Sequence, residues 1–239
     1  MSVKIRKLRN YKHLFFDLDR TLWDFDKNNH ETFMDMYDKF QLREKGIENP
    51  SEFYDIYQHI NFALWETYKA GQIEKERLNF SRFFHSLNVF NVDDKELAAN
   101  ISEYYIKVSP LKSNLYPETI ETLEKLKPKY RMHIVTNGFE EVQFIKIENS
   151  GLQKYFEKII TSERAGFKKP HTGFFDFALR ETDAQPKESI IIGDDPETDI
   201  LGASQIGIDQ IWVKHKPVKP ETIQPTYAVN HLREIIDIL

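Results

Sequence analysis

Cysteine is absent from the 239 residues. That excludes a disulfide framework, a thiolate metal site and a cysteine nucleophile, and it fits a cytoplasmic protein. No apolar run is long enough to span a bilayer, so no membrane partner is expected. The opening residues carry Lys4, Arg6, Lys7 and Arg9, but neither an apolar stretch nor a small-residue cleavage site follows, and no secretory signal is expected. A large excess of one charge is also missing: the net charge is −5 at pH 7. Binding to a nucleic-acid polymer draws on a broad positive field, so that partner class is disfavoured. An anionic ligand would instead have to be held by a metal ion or by a few placed lysines. Internal repeats and low-complexity segments are lacking, and the spacing of Pro217, Pro220 and Pro225 predicts a surface loop. What is present is ordinary globular composition, 40% hydrophobic, 30% charged and 13% aromatic, too aromatic for a disordered chain. The length exceeds the roughly 100 to 200 residues of a usual domain, which leaves open one large domain or a core with an insertion.

Short apolar runs rich in β-branched or aromatic residues recur along the chain: 13–16, 131–136, 158–161, 189–192 and 210–213, with 227–229 as a last edge candidate. Helix-like segments separate them, among them 139–149 with Val142, Ile145 and Ile147, then 172–182 and 200–205. Buried strands alternating with helices predict a parallel sheet with crossover helices, the α/β class. Between the first and second run, residues 26–109 contain no convincing strand. Phe53, Ile56, Tyr57, Ile60, Ala63, Leu64 and Tyr68 fall at helical spacing after Pro50-Ser51 and end near Gly71, and Leu78, Phe80, Phe83, Phe84 and Leu87 mark another helix. Residues 28–40 and 94–108 supply two more. The expected organisation is a core of residues 1–25 and 110–239 interrupted by an all-helical insertion, 26–109.

Four polar clusters fall where predicted strands end. Asp17-Leu18-Asp19-Arg20-Thr21 follows the first run, and two carboxylates at one strand end repel unless a cation or shared proton relieves them; a turn or helix-cap aspartate pair is the plain alternative. Thr136-Asn137-Gly138 follows the second; Asn-Gly is a strong hairpin signal, yet a helix-like segment follows, so a hydroxyl and backbone N–H groups at a strand-to-helix turn form a plausible phosphate cradle. Lys168-Lys169-Pro170 would ordinarily be a solvated face, but the proline fixes a turn before the next helix. Gly193-Asp194-Asp195-Pro196-Glu197-Thr198-Asp199 places four acids in seven residues, which suits a hard cation with oxygen ligands; Asp199 is equally a candidate helix cap. Ligands of parallel sheets bind beyond the carboxyl ends of the strands. Together the clusters offer a nucleophile, an acid, a hydroxyl, a cation and metal-binding carboxylates, the parts that phosphoryl transfer requires.

In that order, DxDxT at Asp17 to Thr21, a strand-end Thr136, Lys169 and the acidic motif from Gly193 to Asp199, the chain resembles the haloacid dehalogenase superfamily over nearly its whole length. The resemblance implies a Rossmann-like core with helices on both faces and an inserted helical C1-type cap. Finer similarity, carried by Phe15-Phe16-Asp17, Thr21 to Asp26, Leu64 to Tyr68 and Thr136 to Phe139, is to the YjjG-like pyrimidine 5'-nucleotidases. It implies a magnesium-dependent phosphatase acting on small phosphate monoesters, with pyrimidine nucleoside 5'-monophosphates first among them, as a monomer or homodimer. Asp17 would be the nucleophile and Asp19 the acid and then the base, while Thr136, Lys169 and nearby N–H groups hold the phosphoryl oxygens. Asp17, the main-chain carbonyl of Asp19 and Asp194 would ligate Mg2+, with Asp195 or Asp199 ligating directly or through water. Asn137, Gly138, Trp23 and Trp65 are the substrate-binding candidates, core packing being the competing role for the aromatics. Arg20 departs from the pattern, standing where many relatives have glycine or a small or acidic residue. A sugar-phosphate or phosphoglycolate-type phosphatase or a phosphomutase would share all four motifs, and a non-catalytic binding protein on the same fold is the alternative from another class. A dehalogenase is disfavoured by the acid at position 19.

Overall fold

The computed structural model describes residues 10–215 and 223–239. The basic opening residues up to Arg9, and Pro217 and Pro220 of the expected proline-spaced loop, lie outside the described residues. The run His13-Leu14-Phe15-Phe16 forms β1 (His13–Phe16), buried along its whole length. Successive strand side chains point to opposite faces, and the packing follows that period. Leu14 and Phe16 join Met132, Ile134, Ile190 and Ile192 in one apolar cluster, whereas Phe15 joins Val135 and Ile191 in another. Both faces of the strand are therefore covered, which is why it reads as a continuous apolar run rather than an alternating one. The remaining strands are β2 (Arg131–Thr136), β3 (Lys158–Thr161), β4 (Ser189–Gly193), β5 (Asp209–Val213) and β6 (Tyr227–Val229). They form one parallel sheet in the order β3-β2-β1-β4-β5-β6, with Phe16 level with Ile134 on one side and Ile192 on the other. The order reverses direction between β1 and β4, and a crevice opens at the carboxyl ends of strands at such a switch point.

The chain divides into two compact units, Asp26–Lys112, and Met1–Phe25 with Ser113–Leu239. The first is helical: α1 (Phe25–Lys39, starting one residue before it), α2 (Pro50–Lys69), α3 (Lys75–Val89) and α4 (Lys95–Val108). Asn49 starts α2 by accepting from the N–H groups of Ser51 and Glu52 ahead of Pro50, and Asp94 starts α4 by accepting from Leu97 N–H at 2.8 Å. Such caps satisfy donors that a helix cannot satisfy internally. The unit owns its core: Phe33, Phe53, Tyr57, Phe83, Leu87 and Ile101 are fully buried within it. Each large apolar side chain so buried stabilises by roughly 1.5–3 kcal/mol.

The sheet unit is closed by α5 (Thr119–Leu126), α6 (Glu140–Asn149), α7 (Ser162–Ala165), α8 (Thr172–Thr182), α9 (Gly202–Ser204) and α10 (Ile235–Ile238). Leu123 and Leu126 of α5, Ile147 of α6 and Ile235 of α10 pack on the Leu14 face. Ala165 of α7, Phe174, Phe175, Ala178 and Leu179 of α8 and Ala203 of α9 pack on the Phe15 face. This is the expected Rossmann-like α/β core with helices on both faces. One local difference concerns the helix expected over 200–205. A single wide π-helical turn, Pro196–Leu201, precedes a short α9.

Candidate active site

Four strand ends deliver the polar residues. β1 runs straight into Asp17, whose N–H donates to Ile192 O at 2.9 Å, so the sheet ladder itself sets its position. Its carboxylate is almost completely buried. Oδ1 accepts from Lys169 Nζ at 2.8 Å, and Oδ2 lies 3.2 Å from the Thr21 hydroxyl. That hydroxyl also lies 3.3 Å from Asp194 Oδ1, so its single hydrogen serves two carboxylates. Lys169 is buried and uses all three ammonium hydrogens: on Asp17, on Asp199 Oδ1 at 2.6 Å and on Val135 O at 3.0 Å.

Asp17, Asp194 and Asp199 each offer a carboxylate oxygen, and these three oxygens lie within 4.8 Å of one another. Asp195 is outside that group. Its carboxylate accepts from Glu197 N–H at 2.9 Å and Thr198 N–H at 3.1 Å, so Asp195, not Asp199, is the cap of the turn. The wide turn is what releases Asp199 for the site, and π-helical turns of this sort often sit at functional positions. Gly193 makes room for it, because a Cβ there would overlap the Asp199 carboxylate.

Burial, opposed by Lys169 and reinforced by Asp199, pushes the Asp17 carboxyl up to about 7. Burial and the charges of Asp17 and Asp199 push Asp194 up as well, and burial raises Asp199 against the pull of Lys169. For Lys169 burial works downward, but the two carboxylates outweigh it and keep the ammonium protonated. Asp17 and Asp199 thus share the Lys169 ammonium, while the partly buried Asp194 lies beside them and outside its three hydrogen bonds. All the donors are oxygens, which hard cations select, and a divalent cation would offset the burial and the mutual charge that lift these carboxyls. The residues present fit magnesium.

Thr136, at the end of β2, is buried, and its Oγ accepts from Gly138 N–H at 3.1 Å and from Gln143 Nε2 at 2.7 Å. With both acceptor positions engaged, its hydroxyl hydrogen is left to donate. Gly138 leaves the Gln143 amide its place, since a Cβ there would stand 2.5 Å from it and displace it. The Gly138 N–H and the Asn137 side chain, both expected to touch substrate, have other work. Asn137 Oδ1 accepts from Lys169 N–H at 2.8 Å and its Nδ2 donates to Lys169 O at 3.0 Å, clamping the backbone that carries the lysine.

Asp19 keeps part of its side chain exposed, and both of its oxygens are gripped from α6. Lys146 Nζ lies 2.6 Å from Oδ1 and 2.9 Å from Oδ2, and Gln143 Nε2 lies 3.0 Å from Oδ2. Arg20 beside it takes the left-handed conformation, φ 62°, which explains why glycine suits this position; its guanidinium stacks over Phe25 at 4.4 Å. Trp23, expected to stack a substrate ring, is fully buried, and its face lies 4.3 Å from Lys146 Nζ. Trp65 belongs to the helical unit, half-buried and edge-on to Tyr68. Gln143 and Lys146 were not singled out in the sequence. Spacing three apart on a helix puts them on one face, but the apolar pattern read there, Val142, Ile145 and Ile147, points elsewhere, and of those three only Ile147 is buried.

A family model described as haloacid dehalogenase-like hydrolase matches residues 14–213. Pyrimidine 5'-nucleotidase YjjG of Escherichia coli is 30% identical over 228 residues, covering 95% of this chain and 96% of the relative. Pyrimidine 5'-nucleotidase PynA of Streptococcus pneumoniae is 29% identical, covering 96% and 95%. Glyceraldehyde 3-phosphate phosphatase of Methanocaldococcus jannaschii is 27% identical, covering 95% and 96%. Among solved structures, the magnesium-bound HAD-hydrolase YfnB of Bacillus subtilis superposes with a TM-score of 0.85 at 25% identity, covering 96% of this chain and 98% of that one.

Proposed function

We propose that this chain, which belongs to the haloacid dehalogenase-like hydrolase family, hydrolyses small phosphate monoesters through a phosphoaspartate on Asp17. The observation that carries this reading is the convergence of Asp17, Lys169, Asp194 and Asp199, contributed by distant parts of the chain, on one buried cluster beside Thr136. An Asp17 carboxylate oxygen forms a bond to phosphorus as the bond from phosphorus to the leaving oxygen breaks. Asp19 gives its proton to that oxygen. Water then attacks the phosphoaspartate, Asp19 takes up the water proton, and Asp17 leaves as a carboxylate, restoring the starting state with its proton balance intact. Lys169 and the Thr136 hydroxyl are placed to steady the phosphoryl oxygens, where each such donor contributes about 10²–10³ in rate. Asp17, Asp194 and Asp199, with the Asp19 carbonyl, would hold magnesium, which when bound neutralises charge on the phosphoryl group.

Within the phosphatases we read the substrate as a pyrimidine nucleoside 5'-monophosphate. Support comes from the two nucleotidase relatives that match along nearly the whole chain. The glyceraldehyde 3-phosphate phosphatase match favours a sugar-phosphate substrate as the second reading. The discriminating experiment compares kcat/KM for uridine and thymidine monophosphates, sugar phosphates and phosphoglycolate, with and without chelator. Turnover that chelator does not reduce would overturn the metal-dependent chemistry, and preference for a sugar phosphate would overturn the nucleotidase reading alone.

A further inference from the structure

Helix α6 turns two polar side chains inward beside one apolar residue. Its buried residues are Gln143, Lys146 and Ile147, while Phe144 and Ile145 are 40% and 37% exposed. A helix that hides a lysine and a glutamine while leaving over a third of a phenylalanine and of an isoleucine exposed forgoes part of the apolar burial, roughly 1 kcal/mol per side chain. Such departures from local rules concentrate where function requires them.

The buried polar pair has one common target. Lys146 Nζ contacts both oxygens of Asp19 and rests on the faces of Trp23 at 4.3 Å and Phe25 at 5.6 Å, which fix the ammonium from behind. Gln143 has one NH2 group and uses its two hydrogens on two different residues, Asp19 Oδ2 at 3.0 Å and Thr136 Oγ at 2.7 Å. A single amide therefore spaces the Asp19 carboxylate from the Thr136 hydroxyl. Asp19 stands on an irregular segment beyond β1, with a left-handed residue following it. The ladder that fixes Asp17 does not reach the Asp19 side chain, and rotation about its two side-chain bonds would spread the carboxylate over several positions.

We propose that Lys146 and Gln143 are positioning residues that hold the Asp19 carboxylate in line with the leaving oxygen, at a distance from the Thr136 hydroxyl set by the Gln143 amide. This rests on the assignment of Asp19 as the acid and base. Neither residue touches the reacting atoms. Both act through Asp19, and in the case of Gln143 also through Thr136.

The test exploits leaving-group basicity. Phenyl phosphate and p-nitrophenyl phosphate have nearly the same shape, but the p-nitrophenolate departs with little help from an acid. Release of each phenol is followed in a single turnover with enzyme in excess, for wild type, Asp19→Asn, Lys146→Met, Gln143→Leu and Lys146→Arg. The ratio of the two rates in one preparation does not depend on how much of a variant is folded, so a partly unfolded variant still reports. Correct general-acid placement is worth about 10²–10⁴. Lys146→Met is expected to slow phenyl phosphate at least ~10-fold more than p-nitrophenyl phosphate, Gln143→Leu in the same direction, and Lys146→Arg to restore part of the loss. Equal slowing of both esters by Lys146→Met, with Asp19→Asn selective for phenyl phosphate, would overturn the positioning role and leave Asp19 as the acid. Equal slowing by Asp19→Asn itself would instead remove the acid assignment on which the proposal stands.

Discussion

Replacing Asp17 by asparagine should abolish turnover and, without metal, make the protein more stable. The carboxyl is pushed from an ordinary 3.8 to about 7 by burial first, with Lys169 opposing and Asp199 adding to the shift. The folded protein therefore binds this proton more tightly than the unfolded chain, and stability falls as pH rises between 3.8 and about 7. The full gap corresponds to about 4 kcal/mol at 1.36 kcal/mol per pH unit. Burial leads the upward shift at Asp194 and Asp199 as well, and neutralising Asp17 also takes a charged partner from Lys169, so the substitution should recover only part of the gap, about 2 kcal/mol, or roughly 4–8 °C in Tm for a chain of this size. An asparagine of the same shape keeps an acceptor toward Lys169 and introduces no charge. The assay is urea unfolding of both proteins in chelator at pH 8 and again at pH 4. The advantage of Asp17→Asn should be present at pH 8 and shrink toward pH 4, where both forms carry a neutral side chain when folded. An Asp17→Asn protein no more stable than wild type at pH 8, or an advantage unchanged by pH, would refute this account of the cluster. Function and stability are opposed here in the manner expected of a site built around like charges.

Adding a Cβ at Gly193 drives it into the Asp199 carboxylate, so Gly193→Ala should lower stability by about 1–3 kcal/mol and weaken magnesium binding, both readable by calorimetry. Asn137→Ala frees the backbone on both sides of Lys169, and kcat/KM should fall about 100-fold by the same factor for good and poor leaving groups if, as proposed, the lysine serves phosphoryl oxygens; a leaving-group-dependent loss would contradict that division of labour. Phe33→Ala, in the centre of the helical unit, should destabilise by about 3–5 kcal/mol and speed hydrogen exchange across α1 to α4; protection unchanged there would contradict a separate core.

The strands were legible in the sequence because a parallel sheet covered on both faces leaves continuous apolar runs, and the runs at 13–16, 131–136, 158–161 and 189–192 correspond to β1 to β4. The polar residues after them stood out because each followed such a run directly. What stayed hidden depended on side-chain direction. Asn137 and Gly138 sit where a phosphate cradle was expected, but their hydrogen bonds close back on Lys169 and Thr136. Asp195 and Asp199 are chemically alike, and only the wide turn decides which caps and which enters the cluster. Lys146 was invisible because periodicity assigns the inward face of α6 to its apolar residues, and nothing local signals that Asp19, 127 positions away, draws the lysine in. Trp23 carries no mark distinguishing a ring that stacks substrate from one that supports an ammonium.

The most direct measurement is chemical capture of the acyl phosphate: rapid mixing with substrate, quenching with borohydride, and peptide mass spectrometry. Reduction of a phosphoaspartate leaves homoserine, and the modification should be found at position 17, only when substrate is present. Homoserine at another aspartate, or an unmodified Asp17 under conditions of steady turnover, would contradict a covalent intermediate on this residue.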